Sequence, residues 1–400
     1  MLDKTICVIG LGYIGLPTAS LLGTKGFQVH GVDVSEHVVK TINKGKIHIV
    51  EPDLDIMVRS AVNAGNLKAG MEPIEADIFI IAVPTPFKGD HEPDLSYVES
   101  ATRLISPYVK PGNLVILEST SPVGTTDEVV AKILNDDGHD IDKGIYVAHC
   151  PERVLPGRIL VELVENDRIV GGVNPLATEK AVEFYQTFVR GEVLSTDSRT
   201  AEMAKLTENS SRDVSIAFAN ELSLICDEEG ISVWELISLA NRHPRVNILT
   251  PGPGVGGHCI AVDPWFIVAR SPEHAKLIRT ARLVNDAKPD WVIDKVKSRA
   301  EKFKHPVIGC LGLAFKADVD DLRESPAVDI VRQLIKDNVG EILISEPNLE
   351  KHDEFSLIAC EELIHRSDII LLLVDHKEFK GIKTLELNEK VLIDTRGIIQ

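Results

Sequence analysis

Short apolar runs alternate with helical patterns along the first half of the chain. The runs are apolar on both faces, which is typical of parallel strands covered by helices on both sides. They predict strands at 5–9, 28–32, 78–83, 114–117, 145–148 and 168–170. This alternation predicts a doubly wound α/β region.

The pattern changes to long helices near residue 200 and returns to strands and helices after Pro306. Helices are predicted over 200–229, from Val233, and over 273–303 with a dent at Pro289. Later strands are predicted at 307–311, 341–344, 368–374 and 391–393. The fold class is therefore α/β, with two Rossmann-like doubly wound domains joined by a central all-helical domain that contains a long connecting helix. Domain boundaries are expected at 1–195, 196–304 and 305–400.

Length, net charge, apolar runs and cysteine spacing restrict the classes of protein to which this chain can belong. Four hundred residues suit two or three domains. A formal net charge of −18 opposes nucleic-acid binding. No apolar run approaches the roughly 20 residues of a membrane span, and no signal peptide is expected. Six cysteines without paired or zinc-site spacing favour a reduced, cytoplasmic setting and no metal site.

A dinucleotide motif follows the first predicted strand. Gly10, Gly12 and Gly15 form G-x-G-x-x-G, in which the glycines permit a tight turn, a close approach to pyrophosphate and helix–strand packing. Asp33 ends the next strand, where a carboxylate accepts from ribose hydroxyls and repels a 2′-phosphate. The sequence therefore predicts NAD as cofactor.

Two further strand ends carry small hydroxyl residues, at 83–87 and 118–126. Loops in these positions line the cofactor groove of this fold. Plain turns that contain hydroxyl groups explain the same residues equally well.

Cys259 differs in context from the other cysteines. Cys7 and Cys310 lie in apolar strands, whereas Cys259 follows Gly256-Gly257-His258 in a loop whose amides could hold a thiolate or an oxyanion. Asp263 is a nearby acid/base candidate. A nucleophile, a structural cysteine and a metal ligand all remain open for Cys259.

Lys205, Asn209 and Arg212 share one face of the long predicted helix, because their spacing keeps them within about 60° of one another. A solvated face is the ordinary explanation for such a set. The apolar second half of the helix predicts instead that it is buried, and a buried lysine beside an amide suits an oxyanion or a bound water.

Three other segments combine charge with turn residues. Glu152 and Arg153 lie in 150–157, where an acid/base and a phosphate or sugar contact are as plausible as a surface turn. Residues 241–247 form a cationic island that is either an anion site or plain surface. Lys316 and Arg323 open the last α/β region.

Together these motifs resemble the UDP-glucose/GDP-mannose 6-dehydrogenase family across the whole chain. The motifs are GLGYIGLP at 10–17, EST at 118–120, CPER at 150–153, KLTEN at 205–209, GGHCIAVD at 256–263, and FKAD at 315–318 with LRESP at 322–326. The resemblance implies a four-electron oxidation of a UDP-sugar at C6 by two NAD. It also implies a thiohemiacetal and then a thioester on Cys259.

The resemblance assigns roles to particular residues. The implied catalytic residues are Cys259, Lys205, Asn209, Asp263, Glu152 and Thr120. The implied NAD contacts are Gly10, Gly12, Tyr13, Ile14, Gly15, Asp33, Thr85, Thr126 and Arg323. The implied substrate contacts are Arg153, Val154, Lys205, Asn209, Arg212, His243, Arg245, Gly256, Phe315 and Lys316.

The sugar implied by the resemblance is N-acetylmannosamine, through the stretches at 49–54, 84–94, 241–249 and 258–266. Val262 stands where the UDP-glucose branch usually has lysine. UDP-N-acetylglucosamine or UDP-glucose, a two-electron hydroxyacid-type dehydrogenase, and a nucleotide-sugar sensor without activity are the alternatives. A homodimer through the central helices is also implied, with larger homo-oligomers open and neither nucleic acid nor membrane as partner.

Overall fold

The computed structural model describes residues 4–89, 91–141, 144–155, 157–257, 259–382, 387 and 389–399. The chain divides into two compact units, Met1–Glu208 and Asn209–Gln400. Each unit contains its own parallel-rich sheet with apolar residues on both faces.

The first unit is built on an eight-stranded sheet in the order β10-β9-β8-β7-β4-β1-β2-β3. Its elements are β1 (Thr5–Ile9), α1 (Gly15–Thr24), β2 (Gln28–Val32), α2 (Glu36–Asn43), α3 (Leu54–Asn63), β3 (Leu67–Gly70), β4 (Ile78–Ile81), the hairpin strands β5 (Phe87–Lys88) and β6 (Glu92–Pro93), α4 (Ser96–Ile105), β7 (Leu114–Leu117), α5 (Lys132–Asp136), β8 (Tyr146–His149), α6 (Ile159–Glu165), β9 (Arg168–Gly172), α7 (Pro175–Tyr185), β10 (Val193–Asp197) and the start of α8 (Ser198–Glu229).

The predicted strands of this unit are all present, but the direction of one differs from the prediction. β9 runs antiparallel to β8, and β10 pairs parallel with β9. Their direction depends on the connection made by α6, which strand composition does not encode. Two strands of the eight-stranded sheet, β3 and β10, were not predicted because they lie at the sheet edges and carry polar residues. The two-residue hairpin strands β5 and β6 were not predicted either.

The sheet order creates a crevice beside β1. From β1 the chain winds outward through β2 and β3, then returns to place β4 on the other side of β1. Ligands bind at such a reversal, outside the carboxyl ends of the strands. Gly10 follows β1 and Ala82 follows β4, so the glycine motif lies at this point.

The second unit has four parallel strands in the order β12-β11-β13-β14. Its elements after α8 are α9 (Val233–Ala240), α10 (Asp263–Arg270), α11 (Lys276–Ala300), β11 (Val307–Leu311), α12 (Pro326–Lys336), β12 (Glu341–Ser345), α13 (Cys360–Arg366), β13 (Ile369–Leu372) and β14 (Val391–Asp394). Here the strand order reverses between β11 and β13, so the loops after these two strands meet.

The predicted helices of the middle segment are confirmed. α11 continues through Pro289, as the pattern indicated. The expectation that α8 is buried along its second half was wrong for this chain by itself. Phe218 and Ile225 are 53% and 49% exposed, so an apolar pattern marked a surface rather than a core. Among the described residues, no helix combines the length and apolarity that crossing a membrane requires.

Candidate active site

The glycine motif forms a turn that leaves room for a phosphate. Gly10 has φ +91°, and a Cβ there would lie 2.5 Å from the carbonyl oxygen of Ala82. A Cβ on Gly15 would strike the carbonyl of Gly10, whereas Gly12 faces open space within 4 Å. The N-terminal amides of α1 have no side-chain cap from Ile14. These features suit a pyrophosphate.

Asp33 braces this turn from the end of β2. Its Oδ2 accepts from the backbone N–H of Leu11 at 3.1 Å, and its Oδ1 accepts from Ser35 at 2.9 Å. The carboxylate is half-buried. Both oxygens of Asp33 therefore lie beside the glycine motif, where the sequence predicted a carboxylate that accepts from ribose hydroxyls. Tyr13, within the motif, is 38% exposed.

The hydroxyl loops after β4 and β7 are tied together. Thr85 Oγ1 donates to the carbonyl of Thr120 at 2.6 Å. Ser119 Oγ accepts from the amide of Val83 at 2.9 Å and donates to its carbonyl at 2.7 Å. These bonds order two loops at the carboxyl edge of the sheet, and the half-buried Thr85 and Thr120 lie there as predicted.

Thr126 behaves differently from Thr85. It is fully buried, and its hydroxyl and amide both donate to Glu202 Oε1 at 2.7 Å. Glu202, in the first part of α8, also accepts from the amide of Gly124. In this structure Thr126 holds its loop to α8, so a direct NAD contact at Thr126 stays a prediction without geometric support.

The segment after β8 is anchored by a buried ion pair. Glu152 Oε2 accepts from Arg168 at 2.8 Å, and these side chains are 6% and 2% exposed. Glu152 Oε1 accepts from the amide of Arg153 at 2.7 Å. The Arg153 guanidinium pairs with Glu208 of α8, with its closest contact at 2.6 Å. Both oxygens of Glu152 are therefore engaged.

A second buried carboxylate lies under the same segment and was missed from sequence. Tyr185 donates to Glu118 Oε1 at 2.6 Å. Burial raises the pKa of Glu118 to about 7, against the opposing charge of Arg168. The signal available was a carboxylate at the end of an all-apolar strand.

The cysteines separate into inert and accessible groups. Burial raises the pKa of Cys7 to about 11 and those of Cys150 and Cys310 to about 12. Such thiols stay protonated and are poor nucleophiles. Cys226 is also buried, whereas Cys259 and Cys360 are half-buried. Burial therefore separates Cys259 from four of the other cysteines but not from Cys360.

Cys259 lies one helical turn before Asp263. The amide of Asp263 donates to the carbonyl of Cys259 at 2.8 Å, which starts α10. Asp263 is buried, and its Oδ2 accepts from the side-chain amide of Asn209 at 2.5 Å. Three residues predicted to be catalytic are therefore joined within the second unit. His258, which precedes the cysteine, lies outside the described residues.

Glycines let the cysteine loop pack on the loop after β11. A Cβ on Gly256 would lie 2.4 Å from the carbonyl of Glu324, and one on Gly257 would lie 2.9 Å from the Phe315 ring. The amide of Gly257 donates to the carbonyl of Arg323 at 3.1 Å. Predicted catalytic and nucleotide-binding segments are thereby brought into direct contact.

A cleft opens beside this contact at the strand reversal of the second sheet. Its lining includes Gly254, Phe315, Lys316, Val374, Asp375 and Arg396. Arg396 donates to Asp375 at 2.8 Å, so one cation of the cleft is oriented by a carboxylate. Two cations and an aromatic ring suit a nucleoside diphosphate.

The other predicted residues occupy more open positions. Lys205 and Asn209 are half-buried, one turn apart on α8, which corrects the expectation of a buried lysine. Arg212, His243 and Arg245 are exposed. The guanidinium of Arg323, whose backbone carbonyl also contacts the cysteine loop, pairs with Asp321. Val154 is half-buried beside Arg153.

One group in the described part of the chain has the spacing of a metal site. Oxygen and nitrogen atoms of Asp318, His376 and Glu378 lie within 4.8 Å of one another. The two carboxylates are exposed and the histidine is buried. Sequence reasoning did not single out these three residues.

The chain matches three models of the UDP-glucose/GDP-mannose dehydrogenase family in order. Residues 4–189 match the NAD binding domain, 199–287 the central domain and 309–400 the UDP binding domain. The glycine turn beside Asp33 falls in the first match, Cys259 in the second, and the Lys316–Arg396 cleft mainly in the third.

Full-length relatives agree with these matches. The chain is 57% identical to an NDP-N-acetyl-D-galactosaminuronic acid dehydrogenase of Ralstonia nicotianae, over 99% of this chain and 96% of that one. It is 55% identical to a UDP-N-acetyl-D-mannosamine dehydrogenase of Yersinia pestis, over 99% of each. Its fold is similar to that of the UDP-N-acetyl-mannosamine dehydrogenase Cap5O from S. aureus, with a TM-score of 0.91, 43% identity and coverage of 99% and 96%.

The glycine turn, the cysteine loop and the cleft follow one another along the chain in the order of the three matched domains. The chain belongs to the UDP-glucose/GDP-mannose dehydrogenase family of NAD-dependent oxidoreductases.

Proposed function

We propose that this protein oxidises UDP-N-acetyl-D-mannosamine at C6 to UDP-N-acetyl-D-mannosaminuronate and consumes two NAD per sugar. The observation that carries the proposal is the junction of Cys259, Asp263 and Asn209 inside a chain that aligns over 99% of its length with a relative named for this substrate. A one-step alcohol oxidation does not require a cysteine, whereas an oxidation through an aldehyde benefits from a covalent trap.

Cys259 performs the trapping step. NAD, when bound, accepts one hydride in each of the two oxidations. Between them the Cys259 thiolate adds to the C6 aldehyde and forms a thiohemiacetal, which the second oxidation converts to a thioester. Water then adds to the thioester carbonyl, the thiolate leaves and the carboxylate is released. The covalent bond prevents loss of the aldehyde between the two oxidations.

Polar residues support these steps. Lys205 stabilises the oxyanion and moves protons, and Asn209 assists it. Asp263 and Thr120 position the water. Glu152 stays a candidate acid/base, although its engagement by Arg168 and by the Arg153 amide also suits an anchor.

Binding roles follow the matched motifs. The residues assigned to NAD are Gly10, Gly12, Tyr13, Ile14, Gly15, Asp33, Thr85 and Thr126, with Arg323 as a further contact. Thr126 is assigned from its motif alone, because its amide and hydroxyl are engaged by Glu202. The residues assigned to the UDP-sugar are Arg153, Val154, Lys205, Asn209, Arg212, His243, Arg245, Gly256, Phe315 and Lys316. The cleft at Phe315 and Lys316 supports the nucleotide part of this assignment.

The identity of the sugar has a second candidate. A relative at 57% identity is named for N-acetyl-D-galactosaminuronic acid. UDP-N-acetylgalactosamine therefore belongs in the substrate panel, together with UDP-N-acetylglucosamine and UDP-glucose.

The deciding measurement is the number of NADH formed per UDP-sugar consumed. A ratio of two with the mannosamine sugar is expected, and that sugar should give the highest kcat/KM. The Cys259→Ser variant should form little uronate, whereas Cys226→Ser, a buried cysteine of the same unit, should keep wild-type turnover. A ratio of one would remove the thioester from the reaction, and a preference for another sugar would reassign the substrate.

A homodimer through the central helices completes the proposal. Phe218 and Ile225 on α8 and Leu277 and Leu283 on α11 are between 49% and 68% exposed in the single chain. Apolar side chains of this size favour burial against a second copy. Phe218→Asp should shift the mass measured by light scattering from dimer to monomer, and an unchanged mass would refute this interface. A cytoplasmic location is part of the proposal and is supported by cysteines without paired spacing.

A further inference from the structure

A buried carboxylate organises the loop that follows β11. Glu346, directly after β12, is 4% exposed. Its Oε2 accepts from the backbone amides of Leu313 and Ala314 at 2.7 and 3.0 Å. Its Oε1 accepts from the amide of Asn348 at 3.0 Å. Hydrogen bonds from these amides and from His376 hold the pKa of Glu346 below its usual range in spite of burial.

His376, four residues after β13, holds the same loop at a second place. It is fully buried, and its Nε2 lies 3.0 Å from Glu346 Oε2. Its Nδ1 accepts from the backbone N–H of Asp318 at 2.9 Å. A backbone amide can only donate, so Nδ1 carries no proton and Nε2–H donates to Glu346.

The two anchors flank the nucleotide-binding residues. Glu346 binds the chain at Leu313 and Ala314, and His376 binds it at Asp318. Between these points lie Phe315 and Lys316, which line the cleft. The side chain of Asp318 also accepts from the amide of Lys377 at 2.9 Å, so the loops after β11 and β13 are joined twice. Fixing both ends lowers the entropy that a ligand must remove from this segment.

The metal-like grouping of Asp318, His376 and Glu378 does not compete with this interpretation. The Nδ1 lone pair of His376 already accepts the Asp318 amide, and the Asn348 side-chain nitrogen lies 2.9 Å from the same atom. A metal ion at Nδ1 would displace both donors. The geometry therefore favours a hydrogen-bonded anchor.

We propose that Glu346 and His376 are positioning residues that hold Phe315 and Lys316 in the geometry that binds the diphosphate nucleotide. The inference rests on the proposed function, because it assumes that the cleft takes the UDP part of the substrate. Neither residue touches the nucleotide in this account. Both act through the loop.

Two substitutions of His376 separate the anchors. Asn at this position keeps an acceptor near Nδ1 but cannot reach Glu346, whereas Gln keeps a donor near Nε2 but withdraws from Asp318. Each should weaken UDP binding, measured by calorimetry on the full protein, by about tenfold. KM for the UDP-sugar should rise to a similar extent while kcat and the Kd for NAD stay near wild type. A milder variant, Asn348→Ala, should act in the same direction. It leaves the buried pair of Glu346 and His376 in place, so misfolding through loss of that pair is not expected.

The matched control is Ser367→Ala, which removes a buried hydroxyl that donates to the Leu363 carbonyl, away from the cleft. It should leave UDP affinity unchanged. Wild-type UDP affinity in all folded His376 and Asn348 variants would overturn the positioning role. Restoration of UDP affinity in those variants by added Zn²⁺ or Mg²⁺, or loss of wild-type affinity on chelation, would overturn it in favour of a metal. Absence of UDP binding by the wild type would instead refute the proposed function.

Discussion

The side-chain amide of Asn209 donates to Asp263 at 2.5 Å across a sequence separation of 54 residues. Asp263 also begins α10, and its amide donates to the carbonyl of Cys259. Asp263 thus joins the long helix α8, through its carboxylate, to the cysteine loop, through its backbone amide. Burial of a carboxylate without hydrogen-bond partners is energetically unfavourable, so the side-chain amide of Asn209 stabilises the buried Asp263.

Asn209→Ala should lower kcat by about 10- to 100-fold, since a hydrogen bond to a charged group contributes about 1.5–3 kcal/mol. KM for the UDP-sugar should change less. Steady-state kinetics with saturating NAD measures both. Ser215→Ala is the control, because Ser215 bonds only to the Ser211 carbonyl in the hydrogen bonds described for it on α8. An unchanged kcat in Asn209→Ala would show that the pair has no role in turnover.

Glu152→Gln tests whether Glu152 anchors its loop or transfers a proton. Because both oxygens are engaged by Arg168 and the Arg153 amide, we expect KM for the UDP-sugar to rise several-fold. The pH profile of kcat should keep its wild-type shape. Glu165→Gln, at an exposed carboxylate of α6, controls for loss of charge. Disappearance of one limb of the profile would assign Glu152 as the acid/base instead.

Loss of one partner from the buried pair of Arg282 and Asp213 should destabilise the second unit. These side chains are 1% and 0% exposed, and Asn285 also donates to Asp213. Arg282→Met leaves the carboxylate without its cation and should cost about 3–5 kcal/mol. Chemical denaturation followed by circular dichroism measures the loss.

The matched comparison uses Arg279→Met, an exposed arginine on the same helix, which should cost less than about 1 kcal/mol. The double variant Arg282→Met with Asp213→Leu should recover much of the stability, because no lone buried charge remains. Equal stability of Arg282→Met and wild type would contradict the assignment.

Glu118 should make the protein less stable as pH rises. Burial raises its folded pKa to about 7 from 4.5, so the folded state binds the extra proton between these values. Stability from this group falls from about pH 4.5 and levels off above about pH 7. Glu118→Gln should therefore show a smaller drop in Tm between about pH 5 and about pH 8 than wild type.

His149 titrates in the opposite sense and supplies the internal check. Burial lowers its pKa to about 3 from 6.5, so its contribution is lost as pH falls below about 6.5. This slope is common to wild type and Glu118→Gln, and the difference between the two proteins isolates Glu118. Parallel Tm curves for the two proteins would mean that Glu118 keeps an ordinary pKa.

Local features of the sequence were sufficient for much of the fold. The strand at 5–9 followed by the glycine motif, the acid at Asp33, and the cysteine among glycines all depend on residues close in the chain. Apolar runs marked the buried strands of both sheets, because a strand covered on both faces must be apolar throughout. These local rules and the whole-chain resemblance were sufficient to predict the family, and they supplied the candidate site residues.

Only the tertiary structure decided which distant side chains meet. Strand order and connection determine the direction of β9. They also determine that Glu152 pairs with Arg168 and that the buried Thr126 donates to Glu202. Glu346 and His376 are 30 residues apart and meet only because β12 and β13 flank β11. Sequence by itself determined the elements and the chemistry that they carry. Strand order determined which distant side chains contact and position the residues that carry this chemistry, because those contacts arise from long-range packing.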